Sequence, residues 1–168
     1  MKYVTFLRHG KAVRPEDSST DFERHLTQRG QRDIAAATAL LARLDPAVDC
    51  ILSSTAARAA QSAVIAQKVL ALSGQIGWCE ALYLASAEVT LAQIHRLSDE
   101  MNHVLVVGHN PGFEEITSLL SCGQPDRSII ELPTATFAFL EIDTERWELV
   151  RPGAGLLRGM VAAKWLRP

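Results

Sequence analysis

Arg8-His9-Gly10 closes the first apolar run of the chain, Tyr3-Val4-Thr5-Phe6-Leu7. A guanidinium grips an oxyanion, an imidazole attacks or shuttles a proton, and a residue without a side chain lets a ligand approach the backbone. A similar arrangement recurs where Val104-Leu105-Val106-Val107-Gly108 runs into His109-Asn110-Pro111-Gly112. Short β-rich runs of this kind end at a sheet edge, and open α/β sheets bind ligands just beyond the carboxyl ends of their strands. Two strand ends, two histidines and one early arginine point to phosphoryl chemistry.

Two further residues join this set. Arg58 lies in Ser53-Ser54-Thr55-Ala56-Ala57-Arg58-Ala59-Ala60-Gln61-Ser62-Ala63, within the first turn of a helix that follows the second strand. A cation there opposes the helix dipole by roughly 0.3–1 kcal/mol, and a bound dianion reverses that preference; a plain surface arginine is the alternative. Glu80 follows the third strand, where its carboxyl group is placed to protonate a leaving group or simply to be solvated in a loop. Asn110-Pro111 stands where a helix begins, with Pro at the first helical position, so His109 faces a region prepared for negative charge.

The elements that position these residues alternate between strand and helix patterns, which predicts parallel β-α-β units. The first strand covers about residues 2–8, and the polar segment 11–26 is a loop. Thr27 caps a helix running toward Leu44, with Ile34, Ala37, Leu40, Leu41 and Leu44 on its buried face and Asp45-Pro46 as its stop. A strand over 48–53, a helix over about 55–72, a weak strand over 76–79, a Ser86-capped helix, a strand over 103–108 and a helix over about 111–121 follow. The last third reads as a pair of strands, 136–142 and 147–150, joined by a turn at 143–146. The cluster Pro152-Gly153-Ala154-Gly155 lacks the context of a dinucleotide signal and reads as a turn.

At 168 residues, 48% hydrophobic and 21% charged, the chain reads as a single globular domain over 1–168 with a sizeable core. A net charge of −2 with scattered basic residues gives no case for nucleic-acid or membrane-surface partners. No apolar stretch approaches the roughly 20 residues of a membrane span, and the amino terminus goes straight into a strand without a signal-peptide pattern, so the expected location is the cytoplasm. Cys50, Cys79 and Cys122 lie far apart and are expected to be buried thiols.

Arg8-His9-Gly10, Arg58 and His109 together resemble the histidine phosphatase superfamily, which includes the phosphoglycerate mutases, and in particular its small SixA-type phosphohistidine phosphatase branch. The resemblance extends to Asp21 and Arg24 ahead of Leu26-Thr27-Gln28-Arg29-Gly30, to the segment Ser53–Ala63, to Leu82-Tyr83-Leu84-Ala85-Ser86 and to Gly108-His109-Asn110-Pro111. It departs at His25 and Thr55, where Pro is usual. The resemblance implies a three-layer α/β/α sandwich with a mostly parallel central sheet, like the phosphoglycerate mutases but without a large cap insertion. It implies that His9 takes the phosphoryl group, that Arg8, Arg58 and His109 clamp its oxygens, that Arg24 reaches in from the loop and that Asn110 adds a donor. Glu80 is its least secure residue, because small members do not all present a general acid there. No metal and no cofactor are implied.

The expected substrate is a phosphohistidine-bearing protein, with a small phosphorylated metabolite as a second enzymatic reading and a phosphate-binding module without turnover as a third. A reading of His9 and His109 as metal ligands fails because neither is followed by a carboxylate at a recognised ligand spacing.

Overall fold

The computed structural model describes residues 1–125 and 130–166. Among these residues, six strands form one sheet: β1 (Lys2–Arg8), β2 (Cys50–Ser53), β3 (Gly77–Trp78), β4 (His103–Gly108), β5 (Thr136–Ile142) and β6 (Gly155–Ala162). Their order is β3-β2-β4-β1-β5-β6. The first four are parallel, and β5 and β6 run antiparallel to their neighbours. Four helices cover the sheet: α1 (Gln28–Leu41), α2 (Ala57–Val69), α3 (Ala87–Ile94) and α4 (Gly112–Cys122). This is the expected three-layer sandwich with a mostly parallel sheet.

Alternation along β1 divides the core between the two faces. Val4 and Phe6 join Val104, Val106 and Leu140 under α3 and α4, with Ile94, Phe113 and Ile116 from the helices. Leu7 joins Leu105, Val107 and Phe137 under α1 and α2, with Ile34, Leu41, Ala59 and Ala63. Small alanines on α2 let it lie close to the sheet, which fixes the height of Arg58 above the strand ends. Thr27 caps α1 as expected, its side chain accepting from Gly30 N at 3.0 Å. Ser86 caps α3 in the same way.

Three expectations are corrected. Residues 147–150 are not a strand: Trp147–Leu149 is a 3₁₀ turn, and the partner of β5 is Gly155–Ala162. The spacing of Trp147 and Val150, both fully buried, serves a single turn as well as a strand. The Trp147 indole donates to Met101 O at 2.9 Å, which anchors that turn. Pro111 is the N-cap of α4 rather than its first helical residue, and Glu114 and Glu115 occupy the first turn. The cysteines are less buried than expected, with Cys50 and Cys79 half-buried and Cys122 exposed at the last residue of α4.

Two close approaches fix the packing at the carboxyl ends of the strands. A Cβ on Gly30 would overlap the Lys11 carbonyl oxygen, so the start of α1 packs directly on the chain leaving β1. A Cβ on Gly112 would overlap the Ala85 carbonyl oxygen, so the start of α4 packs directly on the turn before α3. No helix among the described residues is long and apolar enough to cross a membrane.

Gly112→Ala is expected to lower stability by at least about 2 kcal/mol, since backbone on both sides must move. Gly74→Ala, where nothing lies within 4 Å of the added carbon, is expected to change stability by less than about 1 kcal/mol. Denaturant melts of the two variants give the comparison, and equal midpoints would show that the Gly112 contact does not hold α4 against the turn before α3.

Candidate active site

Register builds the site. Arg8 stands opposite Gly108 in the parallel β1–β4 pair, so the next residues, His9 and His109, emerge side by side. Their ring centroids are 5.1 Å apart. Ser53 stands opposite Val107, and Ser54 N donates to Val107 O at 3.0 Å, which brings Ser54 to the same edge from β2. His9 N donates to Gly108 O, and Ala135 N lies 3.2 and 3.1 Å from the carbonyl oxygens of Arg8 and His9. Ala135 holds a left-handed backbone, φ 56°, to reach both. The turn that carries the first histidine is therefore tied to the strands on either side.

His9 is 8% exposed and its ring has a defined polarity. Nδ1 lies 2.8 Å from Gly10 O, an acceptor only, so Nδ1 carries the proton. Nε2 is left with its lone pair and accepts from Arg58 Nε at 3.1 Å. Burial lowers the His9 pKa well below the ordinary imidazole range, and the nearby His109, Arg58 and Arg8 push the same way against the Gly10 hydrogen bond. The ring is neutral at pH 7.

His109 is also neutral, its pKa lowered to about 3 by burial and then by Arg58. Its Nε2 pairs with Ser54 Oγ at 2.9 Å, and its Nδ1 is buried without a partner. Ser54 Oγ also receives Ala56 N at 3.4 Å, which favours donation of the Ser54 hydroxyl to His109 and leaves Nδ1–H unengaged.

Arg58 is 4% exposed at the second position of α2, as its place in the sequence suggested. Beyond His9, its Nη1 donates to Asp21 O at 2.6 Å and its Nη2 to Asp21 Oδ2 at 2.9 Å. Arg8 donates through Nη1 to Leu132 O at 2.7 Å, while its buried Nε has no partner. Arg24 donates to Val13 O and to Asp21 Oδ1 at 2.9 and 2.8 Å.

These groups line a cavity of about 250 Å³ together with Lys11, Ala12, Leu84, Asn110 and Thr134. Among the described residues that line it, four, Arg8, Lys11, Arg24 and Arg58, are cationic and none is acidic. Such a pocket holds a small multiply charged anion.

Not every expected residue joins it in the expected way. Glu80 is exposed in a 3₁₀ turn, Glu80–Leu82, and does not line the cavity. The third strand is only two residues long, so the chain turns away before a carboxylate there can be aimed inward. Asn110 lines the cavity, but its amide N–H groups go to Glu114 Oε1 and Leu132 O at 2.5 and 2.9 Å. The amide is therefore not an available donor.

Sequence reasoning gave no role to Ser54, Asp21 or Tyr83. Tyr83 donates from its hydroxyl to Asp21 Oδ2 at 2.7 Å and sets its ring edge against His109, centroids 5.5 Å apart. Asp21 and Tyr83 both lie in segments marked by the family resemblance, and only the fold shows that they meet.

Comparison with known proteins follows the same lines. The sequence profile of the histidine phosphatase superfamily (branch 1) matches residues 4–82. An uncharacterized protein of Mycobacterium tuberculosis is 32% identical over 159 residues, covering 91% of this chain and 97% of its own. The structure of the protein histidine phosphatase SixA complexed with tungstate superposes with a TM-score of 0.82 at 23% identity, covering 98% of this chain and 99% of that one. A SixA protein from Agrobacterium tumefaciens gives 0.78 at 27%, covering 96% and 97%. The alpha-ribazole phosphatase of Shigella flexneri gives 0.72 at 16%, covering 96% of each chain. The chain belongs to the histidine phosphatase superfamily, branch 1, and shares the fold of its SixA structures.

Proposed function

We propose that the protein is a metal-independent phosphohistidine phosphatase that works through a covalent intermediate on His9. Its family supports a phosphatase; the nucleophile and the substrate are this reading's own. The observation that carries it is the polarity of the His9 ring, with Nδ1–H held by Gly10 O and the Nε2 lone pair directed to Arg58 at the cationic cavity. A neutral imidazole of fixed tautomer is a nucleophile ready without prior deprotonation.

The steps balance without a metal. A phosphoryl dianion enters, and Arg58 Nε transfers its hydrogen bond from His9 Nε2 to a phosphoryl oxygen. Arg8 Nε and His109 Nδ1, both buried and unpartnered, supply further donors. Nε2 bonds to phosphorus as the bond to the leaving nitrogen breaks, and the electron pair of that bond goes to the departing imidazole. Water then attacks phosphorus, the Nε2–P bond breaks, and the water protons leave with phosphate and solvent. Charge spreads over the equatorial oxygens in such a transfer, where fixed cationic donors stabilise it most.

The leaving group supports phosphohistidine over an alkyl ester. Among the described residues, no carboxylic acid lines the cavity. An alkoxide must be protonated as it departs, whereas an imidazole whose remote nitrogen carries a proton departs neutral. The two connections flanking the site, residues 9–27 and 79–86, contain only 3₁₀ turns and no α-helix to roof it, which suits a phosphorylated side chain on a protein. A cytoplasmic location is part of the same proposal. A small-metabolite substrate is the second reading, supported by the shared fold of the alpha-ribazole phosphatase.

With a phosphohistidine peptide or an aryl phosphate in excess EDTA, turnover is expected to persist in the wild type and in Glu80→Gln, and to fall at least about 10³-fold in His9→Ala. Retained turnover in His9→Ala would remove the covalent intermediate, and a large loss in Glu80→Gln would restore an acid role.

Arg58→Lys keeps the charge and loses the planar fork, so kcat/KM is expected to drop about 10²-fold, with Arg58→Ala lower still. Steady-state kinetics on folded variants decide this; a Lys variant at wild-type rate would mean that only charge matters.

The neutral histidines also predict a pH dependence. Unfolded, each titrates near about 6.5; folded, His9 titrates well below that and His109 near about 3. Between these limits the unfolded state binds protons that the folded state does not, so stability falls as pH falls from about 6.5 toward 3. Thermal melts from pH 7 to 4 are expected to show this slope, and His109→Gln is expected to flatten it. An unchanged slope in both His9→Gln and His109→Gln would show that neither ring is held neutral.

A further inference from the structure

We propose that Asp21 is a positioning residue whose charge limits how tightly the site holds its phosphate product. The proposal rests on the reading of Arg8, His9, Arg58 and His109 as the phosphate site.

Asp21 stands one guanidinium behind the cavity wall. Its Oδ2 accepts from Arg58 Nη2 at 2.9 Å and from the Tyr83 hydroxyl at 2.7 Å, and its Oδ1 accepts from Arg24 Nη1 at 2.8 Å. Its backbone oxygen accepts from Arg58 Nη1 at 2.6 Å. Two of the four cationic side chains that line the cavity therefore share one carboxylate, which does not line it. The same contacts pin the Nη end of Arg58 while its Nε end faces His9.

Position and charge act in opposite directions on a bound dianion. Pinning Arg58 improves its aim at the phosphoryl group. The carboxylate charge, set back from that group by the length of one guanidinium, repels it. Orthophosphate leaves the reaction as a compact anion in a pocket built for the transferring phosphoryl group, and tight retention of product would slow turnover. Asp21 gives the site rigid arginines without their full attraction. Its side chain is 46% exposed, so solvent screens the repulsion in part.

A residue that only tied the 11–26 loop to α2 would, when replaced, loosen Arg58 and weaken phosphate binding. A counter-charge would, when neutralised in place, strengthen it. Asp21→Asn keeps the backbone acceptor and one side-chain oxygen for Arg58 while removing the charge.

The experiment is calorimetric titration of orthophosphate into the wild type, Asp21→Asn and Asp21→Ser at low and at physiological salt. Product inhibition of aryl phosphate hydrolysis is measured alongside. Asp21→Asn is expected to bind orthophosphate about three- to tenfold more tightly, with a matching fall in the inhibition constant and a larger effect at low salt. KM and kcat for the aryl phosphate are expected to fall together. Asp21→Ser removes the same charge with a smaller side chain and is expected to shift affinity in the same direction if Asp21→Asn does not fold. Unchanged or weaker phosphate binding in a folded variant overturns the counter-charge role and leaves the active-site reading intact. Failure of the wild type to bind orthophosphate or to turn over the aryl phosphate overturns both.

Discussion

The hydrogen bond from His9 Nδ1 to the carbonyl of Gly10 spans one residue, yet the rest of the site depends on it. It fixes the tautomer, and with it the nitrogen that carries a lone pair. Its acceptor is held in turn, because Gly10 N donates to Ser62 Oγ at 3.1 Å and the Ser62 hydroxyl donates to Arg58 O at 2.7 Å. One helix, α2, therefore fixes the orientation of His9 through Ser62 and supplies its partner through Arg58. The four-residue spacing between Arg58 and Ser62 is one helical turn, so both face the end of β1.

Desolvation then does what the hydrogen bond alone cannot. An imidazole beside Gly10 in water would titrate near neutrality. Enclosed by three strand ends and three cationic or imidazole neighbours, it stays neutral far into acid. The arrangement concentrates positive charge, with Arg8, Arg24 and Arg58 all lining one small cavity. Carboxylates set back from the wall offset that repulsion: Asp21 behind Arg58 and Arg24, and Glu114, whose charge acts on Arg8, behind Asn110. Acidic groups placed at this remove keep the arginines ordered while leaving the wall itself free of negative charge.

Much of this was legible in the sequence where local rules act alone. The ends of β1 and β4, the Thr27 and Ser86 caps and the position of Arg58 early in α2 follow from short-range pattern, and each stands where it was expected. What depended on tertiary geometry was not legible. Trp147 and Val150 fit either a strand or a single turn, and the true edge strand was hidden by Gly155 and Gly159. Glu80 was placed near the site because it follows a strand, but the brevity of β3 could not be read from composition. Asp21 and Tyr83 are separated by 62 positions, and their hydrogen bond exists only because the 11–26 loop and the turn before α3 meet above the strand ends.

On the proposed reading, the donors that line the cavity converge on one phosphoryl group. Arg8, Arg58 and His109 would recognise the same oxyanion on any carrier, so on the proposed reading they supply rate without discriminating among phosphorylated molecules. Discrimination must then come from the leaving group and from contacts outside the anion pocket. The cavity contributes one large apolar side chain at its edge, Leu84, which is 53% exposed with a left-handed backbone, φ 50°. The exposed cationic side chain of Lys11 adds a second contact. Neither encloses a small molecule on all sides, as a pocket selective for a metabolite would. A carrier that brings its own complementary surface does not need such enclosure, which is the ground on which the proposed reading prefers a phosphorylated protein to a free phosphate ester.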